Sequence, residues 1–116
     1  SQAIDFADQY SGSVIIPDVI LPEVSYLFLR DLGYSGVLKF LENFKAVSSQ
    51  LESLRGNDLN RVYEIASQYR DAEFDVVDCC IMALSERLNI KRVATFDRRD
   101  FSIFRPNHCQ YLELVP

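Results

Sequence analysis

Residues 74–97, FDVVDCCIMALSERLNIKRVATFD, decide the fold. Val77, Cys80, Ile81, Leu84 and Leu88 recur at the spacing of one helical face. Val76, Cys79, Met82 and Ala83 widen that face, so protein is expected to cover most of the helix surface. Asn89 ends the helix, and Arg92–Phe96 then has the length and β-branched content of an interior strand. A helix that leads through a short turn into an apolar strand is half of a βαβ unit. Asp78 borders the apolar face and Asp97 lies just past the strand. In open α/β sheets, chemistry gathers beyond the carboxyl ends of the strands.

Working outward, Ser1–Tyr10 reads as the end of a helix, broken at Ser11-Gly12, and Ser13–Ile16 as a short strand closed by Pro17. Asp18 is placed to cap a helix over Val19–Leu32, which tolerates Pro22 only in its first turn and stops at Gly33. Ser35–Phe44 forms a second amphipathic helix, and Lys45–Ser48 a minor strand. Asn57 caps a helix over Asp58–Arg70 whose inward stripe is Leu59, Val62, Ile65, Ala66 and Tyr69. After Asp97 the pattern gives a loop ending at Pro106 and a closing strand at Tyr111–Val115. Parallel strands separated by helices define a three-layer α/β/α sandwich in a single domain spanning residues 1–116.

A chain of 116 residues with 48% apolar and 25% charged residues is an ordinary globular composition. No apolar run approaches the roughly 20 residues needed to cross a bilayer. Three cysteines, two adjacent, exclude a disulfide framework, so the expected compartment is a reducing cytoplasm. A net charge of −5 argues against a protein that coats nucleic acid, but not against an enzyme holding it through metal ions.

The acids with chemical interest are Glu23, Asp75, Asp78 and Asp97. Carboxylates pressed together repel unless a cation joins them, and magnesium or manganese takes such oxygen ligands. A cation held there would activate water against a phosphodiester. Each acid also has an ordinary role. Asp75-x-x-Asp78 matches a capping pattern with Asp75 as N-cap, Glu23 suits a surface, and Asp97 suits a turn. Arg98 and Arg99 are placed to meet RNA phosphates or to lie solvated on a loop. His108 has no partner pattern for catalysis, and Cys79 and Cys80 read as core.

Glu23-Val24, Asp78 opening a helix that runs to Ala83-Leu-Ser-Glu-Arg87-Leu, and Val93-Ala-Thr-Phe-Asp97-Arg-Arg-Asp-Phe101 together resemble the PIN-domain family. The nearest likeness, from about Ser13 to Pro116, is to the VapC-type toxin ribonucleases of toxin–antitoxin pairs. The resemblance implies an endoribonuclease dependent on Mg2+ or Mn2+, with Glu23, Asp78 and Asp97 as metal-site carboxylates. It implies Asp75 as a neighbour or cap and Thr95 as a supporting hydroxyl. The implied partners are an RNA substrate and an antitoxin protein, with no membrane expected. Tyr26, Phe28 and Tyr34 with Phe40 and Phe44 form an aromatic-rich helical pair whose ordinary role is core. Excess apolar surface there would suit an antitoxin or a second copy of the chain. The family's first strand ends in an aspartate followed by a small hydroxyl residue, a pair not found near Ser1, where Asp5 and Asp8 fall in a helical pattern. The expectation is a chain that lacks this strand through removal of upstream residues, with weakened metal binding and impaired cleavage. A catalytically silent PIN-like module that binds RNA or protein is the second reading. A receiver-like phosphoacceptor is a third, disfavoured because its acids would not lie on helices.

Overall fold

The computed structural model describes residues 14–95 and 98–115. The expected helix at Ser1–Tyr10, and Asp97 itself, lie outside the described residues. The described residues form an α/β fold, mixed helix and strand with small parallel sheets. It divides into two compact units, Ser1–Ser53 and Leu54–Pro116.

In the first unit, β1 (Ile16–Pro17) pairs in parallel with β2 (Leu51–Glu52), and the Asp18 N–H donates to the Glu52 carbonyl at 2.9 Å, extending the pairing. Helix α1 (Ile20–Lys45) connects them, with Pro22 in its first turn, where its missing N–H costs nothing. The helix is bent at Gly33, whose φ of 75° and ψ of −175° belong to a region essentially reserved for glycine. The bend is sharp. Phe28 and Phe40 would be about 18 Å apart along a straight helix, yet their rings stack with centroids 5.0 Å apart. The chain therefore doubles back, and Phe44 extends the aromatic stack at 5.3 Å from Phe40. A Cβ at Gly36 would lie 2.6 Å from the Leu32 Cβ, so the close return also needs a glycine there.

Two expectations in this unit need correction. Lys45–Ser48 is not a strand, because Ala46 and Val47 still donate to the carbonyls of Asn43 and Phe44, and the strand begins only at Leu51. Asp18 does not cap α1. Val19 holds that position without a side-chain bond, and the Asp18 carboxylate accepts the Ser53 hydroxyl instead.

The second unit is built on α2 (Asp58–Gln68) and α3 (Val76–Arg87), which pack along each other. Val62 and Ile65 of α2 are buried, whereas Leu59 and Ala66, expected inward, are exposed. Cys79, Met82, Ala83 and Leu84 form the buried centre of α3. After α3, β3 (Arg92–Ala94) pairs in parallel with β4 (Glu113–Val115), with Val93 opposite Leu114. The crossover carries α4 (Arg99–Ile103), a short helix where a loop was expected. It forms because its apolar residues have a place to go. Phe101 and Phe104 are 1% and 0% exposed, and burying such a side chain is worth about 1.5–3 kcal/mol. Tyr69 fixes the same corner, stacking on Phe74 at 4.8 Å and accepting the Arg105 N–H at 3.0 Å.

Candidate active site

The site residues depend on how α3 begins and ends. Asp75 is the N-cap, as its type and position predict, and its carboxylate accepts the Val77 and Asp78 N–H groups at 2.8 and 3.3 Å. Asp78 then lies half-buried in the first turn, where the helix dipole favours an anion. At the other end, Asn89 takes φ 55°, the Ile90 N–H reaches the Ser85 carbonyl at 2.8 Å, and the Asn89 N–H reaches that of Glu86 at 3.3 Å. This paired closure uses a left-handed residue, a role asparagine tolerates.

Asp100 belongs to the same corner, although its sequence context gave it no role. It is 4% exposed, and its Oδ2 accepts the Asp75 N–H at 2.9 Å. Its Oδ1 accepts Arg99 Nη1 at 2.9 Å, while Arg99 Nη2 donates to the Ala72 carbonyl at 2.6 Å. The only signal available in the sequence was an aspartate directly before a core phenylalanine. The proximity of these acids registers on Cys79. Burial first, then the charges of Cys80, Asp100, Asp78 and Asp75, push its thiol up to about 11. Asp75, Asp78 and Asp100 are thus gathered around the first turns of α3.

Glu23 is exposed in the first turn of α1, in the other unit. Thr95 follows β3 and is half-buried. Arg98 Nη2 donates to the Leu114 carbonyl at 3.4 Å. Among the described residues, no three His, Cys, Asp or Glu side chains are grouped to hold a metal ion. Three of the four groups whose charge acts on Cys79 are carboxylates, the ligand type a hard cation takes, and the fourth is the Cys80 thiol. Asp75 is committed to the cap and Asp100 to the Asp75 N–H and Arg99, and Asp78 lies between them in the first turn of α3.

The opposite end of α3 lines a hollow of about 670 Å³ with Arg61, Glu86, Arg87, Asp58 and His108. Its charges are matched. Arg61 grips Glu86 through Nε and Nη2 at 2.6 and 2.9 Å, and Arg87 Nε meets both oxygens of Asp58 at 3.0 and 2.9 Å. Burial raises the Glu86 carboxyl, but Arg61, the Asn107 N–H and His108 outweigh it and hold the group below its ordinary value. His108 places Nε2 at 2.6 Å from the Ile90 carbonyl, so that nitrogen donates to it.

A PIN domain family model matches residues 1–105 of the chain, extending the likeness back to its first residue. The chain is also similar to Ribonuclease VapC26 of Mycobacterium tuberculosis (strain ATCC 25618 / H37Rv), at 22% identity over 99 residues, which cover 85% of this chain and 73% of that protein.

Proposed function

The chain belongs to the PIN domain family, and from that premise we propose that it is a metal-dependent endoribonuclease, the toxin of a toxin–antitoxin pair. The observation that supports the reading is the capped start of α3, with Asp78 in its first turn and the charges of Asp75, Asp78 and Asp100 all acting on Cys79. Glu23, Asp78 and Asp97 would hold Mg2+ or Mn2+. When bound, the cation would neutralise phosphate charge and make water a better nucleophile at neutral pH. The residues themselves do the rest. Asp75 fixes the first turn, Thr95 supports the strand end, and Arg98 and Arg99 supply positive charge beside the acids for an RNA backbone. The exposed Tyr26, Leu29, Leu32, Tyr34 and Leu38 of α1 support an apolar protein partner, an antitoxin or a second copy.

The alternative, a silent PIN-like module that binds RNA or protein, is favoured by one observation: Asp75 and Asp100 already spend their carboxylates on the protein's own backbone. One assay separates the two readings. RNA is incubated with the chain in Mg2+, in Mn2+ and in excess chelator, beside Asp78→Asn. Cleavage that needs the cation and Asp78 supports the nuclease, while binding without cleavage under all conditions supports the silent module.

A further inference from the structure

We propose that Asp100 is a positioning residue that sets the first turn of α3, and through it Asp78, by gripping the segment before the helix. The inference rests on the metallonuclease reading for its consequence and on hydrogen bonds for its geometry. Residues 72–75 reach α3 through Glu73 at φ 52°, a left-handed conformation that costs a residue with a side chain about 1–2 kcal/mol. Such backbone persists where its surroundings hold it. Here the hold is double: Arg99 Nη2 donates to the Ala72 carbonyl on one side of Glu73, and Asp100 Oδ2 accepts the Asp75 N–H on the other. Arg99 and Asp100 also pair with each other, so the two grips act as one clamp from α4.

The clamp leads directly to the site. Asp75 is held by its N–H, and its carboxylate in turn holds the Asp78 N–H. The 4% exposure of Asp100 keeps water from replacing the bond. In the sequence Asp100 follows Asp97 by three residues, so one buried carboxylate ties the segment after Asp97 to the helix that carries Asp78. Outer partners that orient metal ligands typically contribute 10–100-fold in affinity or activity.

The test uses amide hydrogen exchange on the metal-free chain and manganese titration of the same samples. In Asp100→Ala, the Asp75, Val77 and Asp78 amides are expected to exchange at least about 10-fold faster while Leu84 and Leu88 keep their protection, and manganese affinity is expected to fall about 10–100-fold. Asp100→Asn retains an oxygen for the Asp75 N–H, so it is expected to keep the protection and to hold manganese within a few-fold of the unaltered chain. This variant also decides the matter if Asp100→Ala does not fold. Unchanged exchange at Asp75 in the alanine variant, equal loss of protection along all of α3, or an asparagine variant as impaired as alanine would overturn the clamp. An unaltered chain that binds no manganese defeats the metallonuclease reading instead, and the exchange result still decides the clamp.

Discussion

The two ends of helix α3 carry similar amounts of charge and arrange it in opposite ways. At the carboxyl end each carboxylate has its own guanidinium, Glu86 with Arg61 and Asp58 with Arg87, and the Arg61–Glu86 contact is bidentate. At the amino end Asp75, Asp78 and Asp100 gather around one buried thiol, with Arg99 on Asp100. Matched, partly buried pairs are what a fold uses to join α2 to α3. At the amino end the carboxylates hold backbone instead, Asp75 the N–H groups of the cap and Asp100 the Asp75 N–H. Size does not decide between the ends. The open hollow is at the matched end and the acids are at the other.

If the comparison is right, substitutions at the two ends should fail in different assays. The largest effect is expected from Asp78→Asn, which should lower RNA cleavage by roughly 100-fold or more while costing the fold only about 0.3–1 kcal/mol, the worth of an anion in the first turn of a helix. At the other end Arg61→Ala leaves Glu86 short of its main partner and is expected to destabilise the fold by about 3 kcal/mol, seen as a lower urea midpoint, while cleavage per folded molecule persists. Equal effects of both changes on cleavage would erase the distinction.

A smaller effect is expected in the first unit. Gly33→Ala meets no atom within 4 Å, so its cost is backbone strain alone, about 1–3 kcal/mol in thermal unfolding. The smallest sharpens the matched end by pH. Glu86 titrates below its ordinary value of 4.5 when folded. Its contribution is therefore present above that value and is lost as pH falls through the lower folded one. Glu86→Gln should accordingly flatten the acid limb of a stability–pH curve below about pH 4.5.

What could be read from the chain followed the range of the interactions. The start of α3 at Asp75, its end at Asn89 and the placement of Pro22 depend on neighbours within a few residues, and all were legible. The family was legible too, because Glu23, Asp78 and Thr95-x-Asp97 keep a shared order. Asp100 was not, since its partner is 25 residues away and nothing local distinguishes it from a surface acid. Arg87–Asp58, across 29 residues, was missed for the same reason. Periodicity also misassigned Leu59 and Ala66, because an apolar stripe on an eleven-residue helix is wider than the face that α3 covers. Gly33 was legible as a stop but not as a reversal, which only the Phe28–Phe40 stack reveals.

The most direct measurement is paramagnetic broadening by Mn2+ of the amide signals along α3. Asp78 and Arg87 are about 13 Å apart along the helix axis, far enough for substoichiometric manganese to distinguish one end from the other. Signals of Asp75, Val77 and Asp78 should vanish first, with Glu86 and Arg87 retained and Asp78→Asn abolishing the effect. Broadening centred on Glu86, or none along the helix, would contradict the placement of the cation at the amino end.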